Sequence, residues 1–439
     1  MKIVLLCGYY YPDTVGGTEA YVEALGHDLQ RRGHDITVAA PATSEDQEEY
    51  THNGLRVLRY PVAQNPDRAE VQRRAVPKYL GVWDDWLQRT NPDVVHMHSL
   101  TRGCSVAHAR AAIERDISLY ITVHVPNVTC PRGTLMRWGK TPCDGEIRPT
   151  RCGACVLQDR GLPKSLAWAA SAVSRTGLGS SIPGAAGTAL QRAPLIQQRK
   201  ERLQSWMESA AHVVVVAGWL KEVLGRNGIS RKHVTVSRHG LSEDMHAIQR
   251  AAAERRDPHD PGRPLRVGFV GRFTEVKGPH VLVDAVCRLP EDVALEVQLY
   301  GMAQSKQDQE YLSGMKKRAQ DEARIQFRGP MTDENRVAAF EAFDVLAVPS
   351  IGFETGPYTV LEAFAAKLPV LGSDHSGIAE RVTDGESGLL IPPGDAEVWA
   401  NALGDLSERH RADRWEWSLP ELRTSGEVAE EMMKIYKRA

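Results

Sequence analysis

The sequence contains no long hydrophobic run and no excess of charge of either sign. Its longest apolar runs, such as residues 213–217, have the length of a strand, whereas a membrane-spanning helix needs about 18 apolar residues. Residues 3–7 are likewise too short for the apolar region of a signal peptide, so we expect a cytoplasmic protein. The 54 lysines and arginines are balanced by 56 aspartates and glutamates, which argues against a nucleic-acid-binding protein.

Cysteine is scarce and unevenly distributed. Cys7, Cys104 and Cys287 are isolated, and we expect them to be buried. The remaining four cysteines form a cluster in a loop predicted over residues 125–160: Cys130, Cys143, Cys152 and Cys155. In a reducing compartment such a cluster predicts a metal site rather than disulfides, and we favour structural zinc over an iron–sulfur cluster or free thiols.

Short apolar strands alternate with helical segments, which predicts an α/β protein with doubly wound parallel sheets. A charged and then Pro/Gly-rich segment interrupts this alternation near residues 242–263. We therefore predict a first domain over 1–243, a linker over 244–263 and a second domain over 264–420, with a ligand cleft between the domains. The predicted strands are 3–7, 35–40, 54–60, 92–98, 118–123 and 213–217, then 265–270, 293–300, 325–327, 345–348 and 369–372, and residues 125–204 are expected to be irregular.

Two cations follow the first predicted strand of the second domain. Arg272 and Lys277 come after Gly271 and before a predicted helix, so they should lie at the carboxyl edge of the sheet. Two cations beside a helix N-terminus suit a diphosphate. The alternative is a solvated loop with two surface charges.

Two glutamates flank a predicted helix start. Glu354 and Glu362 would be about 80° apart around one helix, so they are not a same-face pair. We place Glu354 in the loop after strand 345–348, where it would hold sugar hydroxyls, and Glu362 inside the helix, where it would hold ribose hydroxyls. The alternative is an acidic helix start that favours the helix dipole. Backbone groups of the helix start would face a phosphate, namely those of Gly356, Pro357, Tyr358 and Thr359.

Together these segments, with the glycine loop Gly16–Gly17, resemble glycosyltransferase family 4 over nearly the whole chain. The resemblance implies the GT-B fold, in which two Rossmann-like domains face each other across a cleft. It also implies retaining transfer of a sugar from a nucleoside diphosphate sugar, and a helix over 426–438 that returns to the first domain. In this resemblance Arg272 and Lys277 match the diphosphate-binding pair, Glu354 and Glu362 match the two family glutamates, and His124 matches the active-site histidine.

The resemblance further implies a UDP-sugar donor, with a GDP-sugar as the alternative, and no organic cofactor or catalytic divalent metal. The acceptor would be a hydroxyl, with a lipid-linked glycan among the candidates, in polysaccharide, glycolipid or other glycoconjugate synthesis. A basic segment over 164–202 suggests either peripheral membrane contact or a solvated helical face. His98 is structural or functional with equal weight, and we expect His96 to point to the other side of the strand.

Three rival functions are considered. A sugar-nucleotide epimerase of the same fold would need no acceptor. A non-catalytic, zinc-bearing binding protein would have no need of the charged groups at Arg272, Lys277 and Glu354. A phosphorylase-like enzyme is disfavoured because no pyridoxal-phosphate lysine motif stands out.

Overall fold

The computed structural model describes residues 1–13, 16–71, 75–174, 184–254 and 260–438. The chain divides into two compact units. The first unit comprises Met1–Arg238 and Ser425–Ala439, and the second comprises His239–Thr424. Parts of the predicted linker (255–259) and of the predicted basic segment (175–183) lie outside the described residues.

The first unit is built on an eight-stranded sheet of order β10-β9-β6-β5-β1-β2-β4-β3. All its described strands are parallel except β3, which pairs antiparallel with β4. The apolar runs become strands buried on both faces, as parallel sheets require. The strands are β1 (Lys2–Leu6), β2 (Asp35–Pro41), β3 (Glu48–His52), β4 (Leu55–Tyr60), β5 (Val94–Met97) and β6 (Ser118–Val123), then the separate hairpin β7 (Met136–Arg137) and β8 (Thr141–Pro142), and finally β9 (His212–Val215) and β10 (Val234–Val236).

The segment over 125–204 is more regular than predicted, because four helices form within its described residues. Its alanines favour helix intrinsically, and Ala154, Leu157 and Ala167 form a small core of their own. Cys7 and Cys104 are buried as predicted, but Cys287 is exposed. The helices of this unit up to β10 are α1 (Gly17–Arg31), α2 (Arg68–Val71), α3 (Leu80–Thr90), α4 (Val106–Ile113), α5 (Pro149–Asp159), α6 (Lys164–Val173), α7 (Gly184–Leu190), α8 (Arg192–Glu208) and α9 (Gly218–Arg226).

The second unit contains a six-stranded parallel sheet of order β13-β12-β11-β14-β15-β16. Residues 244–263 are predicted as a linker, but the first part of this stretch forms helix α10 (Glu243–Glu254). The strands are β11 (Leu265–Val270), β12 (Leu295–Tyr300), β13 (Ile325–Phe327), β14 (Val345–Val348), β15 (Val370–Ser373) and β16 (Gly388–Ile391). The helices that follow α10 are α11 (Pro279–Val286), α12 (Lys306–Arg318), α13 (Asp333–Glu341), α14 (Tyr358–Ala365), α15 (Ser376–Ala379) and α16 (Ala396–Arg411).

The last helix, α17 (Ser425–Tyr436), belongs to the first unit and packs against α1. Its Tyr436 is buried, and its hydroxyl bonds the ring of His96 at 2.6 Å. Among the described helices, none combines the length and the apolar character that crossing a membrane requires.

Candidate active site

The cationic loop and the acidic loop of the second unit follow neighbouring strands. β11 pairs in parallel with β14, so the loops after both strands emerge at the same edge of the sheet. Lys277 lies in the first loop and Glu354 in the second. The Lys277 Nζ donates a hydrogen bond to Glu354 Oε1 at 2.7 Å. Two groups distant in sequence therefore form one ion pair at the carboxyl edge.

A glycine that the sequence analysis did not assign to the site fixes the position of Lys277. Gly278 adopts a left-handed backbone with φ of 68° and immediately precedes α11. A Cβ atom there would overlap the carbonyl oxygen of Pro349. Because that oxygen belongs to the segment leading to Glu354, the close approach holds the two loops together.

Glu354 is held as a carboxylate. Burial raises its pKa, but the charge of Lys277, the hydrogen bonds from Lys277 and Ser350 and the charge of Arg272 outweigh burial, so its pKa lies below the ordinary value. Ser350 Oγ donates to Glu354 Oε1 at 2.9 Å, and the Glu354 backbone N–H donates to Ser376 Oγ at 3.0 Å. Ser350 and Ser376 support Glu354, and neither serine was assigned to the predicted site.

Unlike Lys277, Arg272 forms no ion pair with another residue that the structure describes. Its side chain is exposed. The preceding Gly271 donates its N–H to the Tyr300 carbonyl at 3.1 Å, which ties the start of the loop to β12. Arg272 therefore offers a full set of N–H donors to an anion at this edge.

The start of α14 is set by contacts with His239. Pro357 is the N-cap residue, and Tyr358 and Thr359 form the first turn. The Tyr358 ring stacks on the His239 ring with centroids 4.7 Å apart. His239 Nδ1 donates to the Gly356 carbonyl at 3.0 Å. The predicted phosphate-facing segment is therefore an ordered helix start.

Glu362 lies inside α14, as predicted, and is 5% exposed. Its Oε1 accepts a hydrogen bond from Arg336 of α13 at 2.8 Å. The predicted role in binding ribose would have to be shared with this ion pair, which the sequence analysis did not anticipate.

In the first unit, the glycine loop leads into α1. Gly16 is the extended N-cap residue and Gly17 the first residue of the helix. A Cβ atom on Gly16 would lie 2.7 Å from the buried Glu19 carboxylate, whose pKa burial raises. The buried Arg59 anchors the loop after β1 by donating to the carbonyls of Tyr10 and Tyr11 at 2.8 and 3.0 Å.

His124 belongs to a buried histidine cluster at the ends of β5 and β6. Its Nε2 lies 3.1 Å from His98 Nδ1, and its ring centroid lies 4.7 Å from that of Tyr21. Burial lowers the pKa of His124 to about 3, so the ring is neutral at physiological pH. The prediction that His96 points away from His98 is wrong, since their ring centroids are 4.1 Å apart. Residues two apart on a strand share a face.

The clustered cysteines line one cavity of about 30 Å³ that also receives three arginines. All four are free thiols, and burial raises the pKa of Cys143 and Cys152. Arg132 Nη1 lies 3.7 Å from Cys155 Sγ. The donor set suits zinc chemically, but within the described part of the chain no three histidine, cysteine or acidic side chains form a metal-ligating group. The zinc site stays a prediction.

Two Rossmann-like α/β units, one of which carries cationic and acidic loops at its sheet edge, define the GT-B class of glycosyltransferases. Residues 16–240 match the family described as glycosyl transferase 4-like domain, and residues 264–409 match glycosyl transferases group 1. The chain belongs to this glycosyltransferase family, which confirms the predicted fold and enzyme class.

Named relatives agree with this assignment. The D-inositol 3-phosphate glycosyltransferase of Corynebacterium urealyticum is 34% identical over 145 residues, which are 32% of this chain and 34% of that protein. The phosphatidyl-myo-inositol mannosyltransferase of Mycobacterium leprae is 24% identical and is matched over 100% of this chain and 96% of its own. The crystal structure of Anabaena HepE with UDP and glucose superposes with a TM-score of 0.63 at 15% identity, covering 100% of both chains.

Proposed function

We propose that the protein transfers a sugar from a UDP-sugar, with retention at the anomeric carbon, to a hydroxyl of a lipid-linked acceptor in glycolipid or polysaccharide synthesis. The observation that carries the proposal is the meeting of the cationic and acidic loops, with Lys277 2.7 Å from Glu354. UDP is supported by the HepE complex and by its frequency as a donor nucleotide in the family. The lipid-linked acceptor is supported by the name of the mycobacterial relative.

The donor half of the reaction requires stabilisation of the leaving UDP. Departure of UDP concentrates negative charge on its β-phosphate. Arg272 and Lys277 would bind that phosphate, together with the first turn of α14. Pre-organised donors of this kind are worth a few kcal/mol each in the barrier. These cations would supply the charge neutralisation that a divalent ion supplies in other transferases.

Glu354 and His124 would act on the sugar and on the acceptor. The Glu354 carboxylate, kept ionised by Lys277, would accept hydrogen bonds from sugar hydroxyls. His124, neutral because its pKa is about 3, would serve as a hydrogen-bonding group and not as a cation. The proton of the acceptor hydroxyl would pass to the departing phosphate, so the mechanism needs no separate base.

A structural role is proposed for the cysteine cluster. Cys130, Cys143, Cys152 and Cys155 would hold one zinc ion, and the neighbouring Arg132 would offset the negative charge of the thiolates. The ion would connect the segment that carries Cys130 and Cys143 to helix α5, which carries Cys152 and Cys155.

Thermal unfolding in the presence of UDP, GDP and ADP tests the donor site. A nucleotide at 100 times its dissociation constant stabilises the folded state by about 2.7 kcal/mol. We expect a shift with UDP that disappears in Arg272→Ala/Lys277→Ala. The matched control is Arg288→Ala, which removes an exposed cation from the same unit and should retain the shift. No shift with any nucleotide would argue for a non-catalytic binding protein.

Product analysis separates transfer from epimerisation. A transferase releases UDP in proportion to the glycosylated acceptor, whereas an epimerase converts or cleaves the donor with no acceptor present. Rapid turnover without acceptor would therefore contradict the proposed reaction.

A further inference from the structure

A large cavity in the first unit lies outside the site described above. Its volume is about 1320 Å³, which exceeds the range of about 300–1,000 Å³ typical of drug-sized ligand sites. The first turns of α3, α4 and α8 line it, as do residues after β5 and β6. Helix N-termini carry partial positive charge, so three such ends favour an anion.

The side chains that line the cavity are predominantly cationic. Among the described residues, the lining contains one lysine and six arginines but three acidic residues. One of these acids, Asp84, already pairs with Arg115 at 2.7 Å. The lining therefore contains more cationic than acidic side chains, of which Lys78 pairs with Glu45 outside the lining at 3.5 Å. The six arginines are Arg102, Arg110, Arg160, Arg192, Arg199 and Arg202.

Arg192 is the most unfavourably placed of these cations. It is half-buried at the first position of α8, where the helix dipole repels a positive charge. Burial and the charge of Arg160 lower its pKa. Its Nε is buried without a hydrogen-bond partner among the described residues. Burial, a like charge and the helix dipole all destabilise the charged form of Arg192. A bound anion would offset these three effects.

Apolar side chains form the remainder of the lining. Leu80, Val156 and Leu195 come from three different helices and face the same cavity. A small inorganic anion would leave this apolar surface and most of the volume unfilled. A ligand that joins an anionic head to a hydrocarbon part would use both kinds of lining.

We propose that this cavity binds a phosphate ester carried by an amphiphile, with Arg192 and Arg160 on the phosphate and the apolar side chains on the hydrocarbon. Identifying that amphiphile as the acceptor rests on the proposed function. The name of the mycobacterial relative contains a lipid phosphate ester, and that of the corynebacterial relative contains a soluble one. The experiment therefore distinguishes a lipid ligand from a soluble ligand.

Binding is measured with the full chain and two probes. The first probe is phosphatidylinositol in phosphatidylcholine vesicles, read by co-sedimentation against pure phosphatidylcholine vesicles. The second is soluble inositol 3-phosphate, read by calorimetric titration. We expect binding to the phosphatidylinositol vesicles and weaker binding of the soluble ester. Equal affinity for the soluble ester would overturn the amphiphile and assign the phosphate to a soluble ligand.

Arg192→Gln and Arg160→Gln should each weaken vesicle binding by about tenfold, the effect of losing one charge-assisted hydrogen bond. The matched control is Arg231→Gln, which removes an exposed cation paired with Glu222 elsewhere in the same unit. Arg192→Gln should unfold at the wild-type temperature or above it, because it removes a disfavoured charge. If all three variants bind equally, the cavity is not the anion site.

The shift in unfolding temperature caused by UDP distinguishes the proposed donor site from the proposed anion site. Arg192→Gln should retain the UDP shift, and Arg272→Ala should retain vesicle binding. If the wild type shows no shift with UDP, GDP or ADP but still binds the vesicles, the proposed donor site is refuted and the anion site is retained.

Discussion

Acidification should destabilise the first unit through its buried histidines. Burial and the charge of His124 lower the pKa of His96 from 6.5 to about 3, and burial lowers that of His124 to about 3 as well. The folded protein keeps both rings neutral, whereas the unfolded chain binds protons below pH 6.5. The contribution of these two neutral histidines to stability is therefore present in full above pH 6.5. It is lost progressively as the pH falls from 6.5 towards 3.

The size of the effect follows from these values. Between pH 7 and pH 5 each of the two histidines lowers the free energy of unfolding by about 2 kcal/mol. This figure depends little on the folded-state pKa, because 3 lies well below pH 5. His98, whose pKa is also lowered, adds to the effect. A combined loss of about 4 kcal/mol is a large part of the stability of a typical domain.

Differential scanning calorimetry at several pH values and constant ionic strength measures this loss. The transition of the first unit is identified by the displacement that His96→Gln causes. His96→Gln should reduce the pH slope by about 1.4 kcal/mol per pH unit. An unchanged slope in His96→Gln would refute the reasoning.

Four further substitutions test the glycine positions of the second unit, the histidine cluster and the cysteine cluster. Gly278→Ala should destabilise the second unit by about 2–4 kcal/mol, from left-handed strain and overlap with Pro349. Gly314→Ala, in the unobstructed interior of α12, should stabilise the second unit by about 0.5–1 kcal/mol. A urea midpoint equal to that of the wild type would contradict the prediction for either variant. His98→Asn should lower kcat and leave the UDP shift intact, if His98 positions His124; an unchanged kcat would limit His98 to a structural role. Purified protein should carry about one zinc per chain and lose it in Cys152→Ser, whereas a well-folded metal-free protein would exclude the metal.

The parallel strands were predictable because burial on both faces demands continuous apolar runs. Residues 265–270 and 345–348 form β11 and β14 with the predicted bounds. β3 was missed because Glu48–His52 is polar throughout and pairs on one side only, as an edge strand can. β16 was also missed, because it begins with a glycine, which strands disfavour, and contains only one β-branched residue.

The site was predictable as a set of charged residues but not as a set of pairs. The order and spacing of Lys277 and Glu354 identified both residues. Their hydrogen bond depends on β11 and β14 being neighbours, which no local pattern states. The pairing of Glu362 with Arg336 has the same origin, because it joins two helices, α13 and α14, that β14 separates in the sequence. The topology of the fold determines which distant residues become partners, and a local sequence pattern does not contain this information.

The return of α17 to the first unit has a consequence for protein synthesis. Residues 1–238 emerge from the ribosome well before Tyr436, yet the buried His96 takes the Tyr436 hydroxyl as one of its two hydrogen-bond partners. Until that residue has been made, the histidine cluster lacks part of its packing and one hydrogen bond. Since domains tend to fold as units during translation, the second unit is free to fold first. The first unit then reaches its final packing only after translation has passed residue 436.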